Sequence, residues 1–497
     1  MELELIGRAR RNPAEIALID GNRSHTYEEL LLTSESVAGA LLGDSTDLRE
    51  ERVAFMVPPS LEYAAVQWGI WRAGAVAVPL CLTHPAPELA FVLDDARPLA
   101  VIGSPIYDHL LEPLAAQRGI RYLHPPLVAG ATPELPLLAT SRRAMMLYTS
   151  GTTGRPKGVV TTHQNLVAQI SSLMEAWEWT SSDRILLNIP LHHVHGIVNV
   201  LACSLWSGAV CEIHPGFETG PTWERLASGE LTLYMAVPTI YHRLIEAWDQ
   251  ARPAERERMS EGCRQLRLMV SGSAALPVPV LERWEEISGH TLLERYGMTE
   301  IGMGLSNSLH GHRFPGRVGR PLPGVEVRLV DETGKPVSGG EPGEIQVRGD
   351  TVFLEYWQRP EDTAAAFTPD GWFRTGDVAI EEDGVFQVLG RESVDIIKSG
   401  GEKLSALEVE DVLLAHPHVR ECAVVGIEDP SWGQRVVAAV VAHEGTTPSP
   451  EDLGTWCRQQ LANYKVPKEF HLVEALPRNA MGKVNKPLVI EQVTAAS

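Results

Sequence analysis

The chain has 497 residues, with 43 Lys and Arg against 64 Asp and Glu, a formal net charge of −21. Hydrophobic residues make up 44% and charged residues 22%, which is ample apolar material for buried cores and excludes disorder, collagen, coiled coil and a disulfide scaffold. So acidic a chain lacks the clustered cations that neutralise phosphates, which argues against nucleic acid and anionic membranes as partners.

The six cysteines, Cys81, Cys203, Cys211, Cys263, Cys422 and Cys457, form no CxxC pair, and so few thiols fit a reduced compartment. The opening residues Met1-Glu-Leu-Glu-Leu-Ile are acidic and lack the features of a signal or transit peptide. No apolar run approaches the roughly 18 residues of a membrane span. These features predict a soluble cytoplasmic protein without stable membrane association; nothing in the sequence speaks to its assembly state.

In chain order, Val53-Ala-Phe-Met-Val57 reads as a strand, Leu61 to Trp71 as a helix, and Ala75-Val-Ala-Val-Pro79 and Leu99-Ala-Val-Ile102 as further strands. Such alternation predicts α/β layers with parallel sheets. From about Val318 the pattern changes to alternating apolar and polar residues, in Val325–Val330, Gly343–Arg348 and Gly384–Val388, separated by turns. This predicts antiparallel structure, a small β-barrel. After Arg391, Ser405 to Ala415 reads as an amphipathic helix with Ser405 as N-cap and Glu408 completing a capping box. Strands at Val419–Ile427 and Gln434–Ala442 and a helix at Glu451–Leu461 complete a tail of about 100 residues, enough for a separate small domain. The expected division is 1–394, two α/β subdomains plus the barrel, and 395–497, a mobile α+β domain.

The strongest chemical signal is Tyr148-Thr-Ser-Gly-Thr-Thr-Gly-Arg-Pro-Lys-Gly158, which follows the apolar strand Ala144–Leu147. Glycines let backbone N–H groups approach a polyphosphate, hydroxyls donate, and Lys157 supplies charge. It is not a Walker A loop, which needs Lys-Ser/Thr running directly into a helix. His192, His193 and His195 lie close together, but no Cys or nearby carboxylate completes a tetrahedral set, so zinc is not expected.

This loop resembles the phosphate-binding signature of the adenylate-forming superfamily, which includes acyl-CoA synthetases, luciferases and peptide-synthetase adenylation domains. Supporting segments follow in the family's order over nearly the whole chain: Pro190–Gly196, Val237-Pro-Thr239, Ser271-Gly-Ser-Ala274, Glu294–Glu300, Arg374-Thr-Gly-Asp377, Gly390–Gly400 and Pro477–Lys483. The resemblance implies two half-reactions. A carboxylate attacks the α-phosphate of ATP, giving an acyl-adenylate and pyrophosphate, and a thiol, usually that of coenzyme A, then displaces AMP.

It also implies roles. Thr149, Ser150, Gly151, Thr152, Thr153, Gly154 and Lys157 would hold the β- and γ-phosphates. Ser273, Ala274, Glu294 and Gly297 would surround the nucleotide, and Tyr296 would stack on adenine. Thr299 would donate to the α-phosphate, Glu300 would bind Mg²⁺, and Asp377 with Arg391 would hold the ribose. Lys483 would sit between the incoming carboxylate and the α-phosphate. Asp395 is expected as the hinge about which the C-terminal domain turns, withdrawing Lys483 and presenting Ser399-Gly400-Gly401 to CoA.

For the acid, peptide-synthetase domains place an Asp where this chain has His192 and His193, so amino acids are disfavoured. His193 and Met298 would line the acyl pocket. Read as a helix, Val237–Arg243 puts Thr239 and Arg243 on one face. Arg243, Ser273 and Arg295 resemble the cluster by which malonyl-CoA synthetases hold a distal carboxylate. The other reading of Arg295 is a pair with the adjacent Glu294. The leading expectation is an ATP-, Mg²⁺- and CoA-dependent ligase for malonate or methylmalonate. A ligase for a short, medium or aromatic monocarboxylate, and an enzyme loading a separate carrier protein, remain open from sequence.

Overall fold

The computed structural model describes residues 2–127, 134–149, 156–399, 402–429, 432–478 and 483–495. Ser150, Gly151, Thr152, Thr153, Gly154 and Gly400 lie outside the described residues.

Two α/β layers make up most of the chain. A seven-stranded sheet is built on parallel strands Arg52–Met56, Val76–Pro79 and Ala100–Gly103, with the hairpin Arg143–Thr149/Lys157–Thr162 on one side. A nine-stranded sheet has parallel central strands, among them Leu233–Ala236, Leu268–Ser271 and Leu293–Met298. Strands covered by helices on both faces read as continuous apolar runs, and Val76–Pro79, Leu233–Ala236 and Leu268–Ser271 are buried at every position. Among the described residues, no helix is long and apolar enough to cross a membrane.

The alternating segments after Val318 form a five-stranded antiparallel sheet that includes Glu326–Val330, Gly343–Arg348, Phe373–Glu382 and Val385–Arg391. Among the described residues this sheet is open, where the alternation suggested a barrel. One edge strand is only Pro336–Val337, too short to pair across and lacking a donor at Pro336. The other edge strand extends past the expected Val388 and carries Arg391 opposite Asp377 in register.

From Ile396 onward the chain builds a second mixed sheet covered by helices Ala406–Leu414, Pro450–Gln460 and Lys486–Ala495. Its apolar clusters draw only on residues from Ile397 onward, whereas the clusters of the preceding sheets end at Phe386. Ser405 caps its helix by accepting from Glu408 N–H at 3.3 Å. The reciprocal half of the expected capping box is missing, because the Glu408 carboxylate takes Lys465 Nζ at 2.6 Å instead. A full charge on Lys465 outcompetes a backbone N–H for that carboxylate.

Candidate active site

The site gathers at the C-terminal ends of the parallel strands. The strand Leu293–Met298 alternates its faces, so Glu294 and Arg295 point opposite ways. Glu294 accepts from Gly316 N–H at 3.1 Å, away from Arg295. Arg295 is 3% exposed and has no acid partner among the described residues. Its Nη2 donates to Ser273 Oγ at 3.2 Å, and its Nε has no partner there. Ser273 Oγ also lies 3.3 Å from His195 Nδ1. Burial lowers the Arg295 pKa to about 9. A buried guanidinium held, among the described residues, by a serine alone is costly without an anion, so this arrangement can receive one.

The local backbone serves that receptor. Ser273 holds a φ of +72°, a strained conformation for a residue with a Cβ. A Cβ at Gly272 would meet Arg295 Nε at 2.5 Å and Cζ at 2.6 Å, so glycine there gives the guanidinium its place. His195–Ala202 winds as a π-helix, a form frequent at functional sites. Behind Ser273, His193 Nε2 and His195 Nε2 are buried without partners among the described residues. Burial, then Lys483 and His84, lower the His193 pKa to about 4, so the ring is neutral.

A second cluster flanks the first. Asp377 Oδ2 accepts from Tyr296 O–H at 2.6 Å, and Oδ1 accepts from Arg391 Nε at 2.9 Å. Tyr296 is half-buried with one ring face against the core. Glu300 is 5% exposed and accepts from Tyr356 O–H at 3.0 Å. Burial raises its pKa. The Tyr356 ring lies 5.0 Å from Lys157 Nζ, which also pairs with Asp362 at 3.0 Å. Thr149 faces Lys157 across the hairpin that bounds the hydroxyl-rich loop. Thr299, Gly297 and Met298 are half-buried beside these groups, and Ala274 is exposed.

Lys483 is exposed yet within electrostatic reach of both clusters, and loss of water is the largest cause lowering its pKa. Arg295 and Arg391 lower it further, and Asp377 opposes them. One lysine therefore feels both the buried guanidinium and the Asp377–Arg391 pair.

One expected member of the acyl site falls elsewhere. Arg243 lies on helix Pro238–Gln250, whose buried face is Pro238, Ile240, Tyr241, Leu244 and Ile245. Thr239 and Arg243 share the exposed face, and among the described residues Arg243 has no ion pair and no hydrogen bond to Ser273 or Arg295. Asp395, expected as the hinge, adjoins the second cluster just before the C-terminal sheet, where its Oδ2 accepts from Arg391 N–H at 3.0 Å.

The pattern of AMP-binding enzymes matches residues 6–357, and that of the AMP-binding enzyme C-terminal domain matches residues 408–483. The chain belongs to the AMP-binding enzyme family. Among its relatives, a mitochondrial malonate–CoA ligase, ACSF3 of Xenopus laevis, is 48% identical over 510 residues, covering 95% of this chain and 88% of the relative. ATP-bound MatB from Rhodopseudomonas palustris superposes with a TM-score of 0.91 at 33% identity, covering 100% of both chains. A malonyl-CoA ligase in ternary product complex with methylmalonyl-CoA and AMP gives a TM-score of 0.69 at 38% identity, covering 94% of this chain and 97% of the other.

Three residues of this family member escape sequence reasoning. Tyr356, which joins Lys157 to Glu300, carries no local motif. His195 reads as part of a histidine run, and Gly272 as one more loop glycine. The clash a Cβ would make is visible only in three dimensions.

Glu294 yields a prediction independent of turnover. Burial, assisted by Asp411 on helix Ala406–Leu414, raises its pKa from 4.5 to about 8. The folded state thus holds the proton that the unfolded state has lost. Stability is full below about pH 4.5 and is lost as pH rises through about 8, by a few kcal/mol in all. Glu294→Gln keeps an acceptor for Gly316 N–H and removes the charge. Chemical denaturation from pH 5 to 9 is expected to show a flatter profile for this variant and greater stability above about pH 8.

Proposed function

We propose that this protein is an ATP-dependent, AMP-forming acid–CoA ligase whose acid is malonate. The observation that carries the reading is the buried Arg295 bonded to Ser273, with Lys483 within electrostatic reach of it and of the Asp377–Arg391 pair. The relatives named as malonate–CoA ligases support it.

In the first half-reaction a carboxylate oxygen of malonate forms a bond to the α-phosphorus of ATP. The bond to the bridging oxygen breaks, and pyrophosphate leaves with that electron pair. Tyr296 supplies a face for adenine, bordered by Ser273, Ala274, Glu294 and Gly297. Asp377 accepts from the ribose hydroxyls, with Arg391 holding the carboxylate. Thr299 donates to the α-phosphate, and Thr149 and Lys157 reach the outer phosphates from the hairpin. Lys483 neutralises charge on both reacting groups, and fixed charge in a water-poor cleft is worth far more than in solution.

Mg²⁺ is bound in such sites by one or two carboxylates plus phosphate oxygens. Glu300 fits: it is buried, burial raises its pKa so that its charge gains from a nearby cation, and Tyr356 orients it. When bound, the ion screens phosphate charge.

The distal carboxylate of malonate pairs with Arg295 and Ser273, next to the neutral His193 and with Met298 along the chain of the acid. Arg243, on the exposed helix face, adds its charge only with an acid in place. A monocarboxylate would leave Arg295 buried and unpaired, which supplies rejection as well as binding.

In the second half-reaction the CoA thiol gives up its proton to solvent, its sulfur bonds to the acyl carbon, and the bond from that carbon to the phosphate oxygen breaks, so that AMP leaves with the electron pair. We take 395–497 as the unit that turns about Asp395 between the halves and 1–394 as the static unit. The drop in TM-score toward the product complex, despite higher identity, supports such a rearrangement. The reading also keeps the protein in the cytoplasm, a reduced compartment suited to six free cysteines. The mitochondrial ACSF3 relative makes cell fractionation the measurement that decides this.

The test is ATP–pyrophosphate exchange dependent on malonate, followed by CoA-dependent release of AMP. Both are expected. Exchange without CoA-dependent thioester would point to carrier loading and overturn the CoA assignment.

A further inference from the structure

Lys486 is 7% exposed, opens the helix Lys486–Ala495 and stands three residues after Lys483. A cation in the first turn of a helix opposes the helix dipole, and burying it adds cost. It is held there by two carboxylates. Its Nζ lies 2.6 Å from Asp395 Oδ1 and 2.8 Å from Glu410 Oε1. Glu410 is itself fixed by Val424 N–H at 2.7 Å, inside the C-terminal sheet. The foot of the Lys483 loop is closed close by, where Arg478 pairs with Val484 and Asn485 N–H donates to Pro477 O at 2.8 Å.

Asp395 is shared between two partners that belong to opposite sides of its own backbone. Oδ1 takes Lys486 from the C-terminal unit, while Oδ2 takes Arg391 N–H from the preceding strand. A change of ψ at Asp395 swings Lys486 away from the carboxylate, and a change of φ swings Arg391 away. Both contacts persist only in the orientation seen here, in which Lys483 feels Asp377 and Arg295.

We propose that Lys486 is a positioning residue: through its buried pairing with Asp395 it latches the C-terminal unit in the orientation that places Lys483 for adenylation. The inference rests on the proposed two-step reaction and on Asp395 as its hinge. Glu410 keeps Lys486 neutralised when the latch is open, so the turned state carries no orphan buried cation.

The experiment compares wild type, Lys486→Arg, Lys486→Met and the double variant Lys486→Met/Glu410→Gln. The double variant avoids leaving Glu410 buried and unpaired, so that a fold defect is not mistaken for a lost latch. Three readouts are taken: malonate-dependent ATP–pyrophosphate exchange, thioester formation from synthetic malonyl-adenylate and CoA, and thermal unfolding. Lys486→Met and the double variant are expected to lose exchange by about 10-fold or more while keeping thioester formation. Lys486→Arg is expected to restore part of the exchange. Equal loss in both half-reactions alongside a lowered unfolding temperature in the double variant would make Lys486 merely structural and overturn the proposal, as would unchanged exchange. A wild-type chain without exchange would overturn the ligase function itself, a result distinct from either.

Discussion

Replacing Arg295 with Leu is expected to lower kcat/KM for malonate by about 10³-fold, ~4 kcal/mol, while raising the unfolding temperature. The two directions follow from one geometry. Arg295 is buried, bonded among the described residues to Ser273 alone, and has its pKa lowered to about 9 by burial. Without an anion the guanidinium is a standing cost, so an apolar side chain of similar volume stabilises the fold. With malonate present the guanidinium meets the distal carboxylate, and its loss leaves that carboxylate desolvated and unpaired. The same variant should gain on butyrate, which matches malonate in length but ends in a methyl group. Arg243→Ala is expected to act in the same sense but far more weakly, since water screens an exposed charge. Steady-state kinetics on malonate and butyrate, with a melting curve, check all of this. A destabilised Arg295→Leu chain with unchanged acid preference would show that Arg295 is a framework residue.

Lys483→Ala is expected to lower malonate-dependent pyrophosphate exchange by about 10²–10³-fold, the usual cost of one transition-state donor. Thioester formation from supplied malonyl-adenylate should change little, because Lys483 belongs to the first half-reaction only. The split matters more than the size of the loss. Lys483 is exposed, so truncation should move the melting curve little. Equal loss in both halves would mean that Lys483 serves general binding and that the two-step assignment of residues is wrong.

Much of the architecture was legible because buried strands and exposed turns leave periodic marks. The apolar runs at Val53 and Ala75 and the alternation at Gly343–Arg348 gave strands at those positions. Among the described residues the sheet stays open, since closure depends on how two edges meet and the edge strand Pro336–Val337 pairs on one side only. The capping box at Ser405 failed for a related reason: Lys465, distant in sequence, took the Glu408 carboxylate. Local rules cannot register a remote competitor.

The chemical clusters followed the same division. Asp377 and Arg391 stand out in short motifs, and the strand pairing that joins them is local. The isolation of Arg295 was undecided in sequence, where Glu294 stands beside it. Strand alternation sends the two to opposite faces, and only the fold shows that no acid among the described residues pairs with the arginine. Arg243 was grouped with Arg295 on helical spacing, yet spacing fixes a face and not its burial. Lys486 was the least legible, because its Asp395 partner lies 91 residues away.

The most direct measurement is kcat/KM for CoA-dependent AMP formation across malonate, methylmalonate, succinate, acetate, butyrate, octanoate and benzoate. A buried, unpaired guanidinium at the end of the acyl site predicts that malonate leads every monocarboxylate by at least about 100-fold, roughly 2.7 kcal/mol. If butyrate, octanoate or benzoate equals or exceeds malonate, Arg295 does not read a second carboxylate, and the account of this site is contradicted.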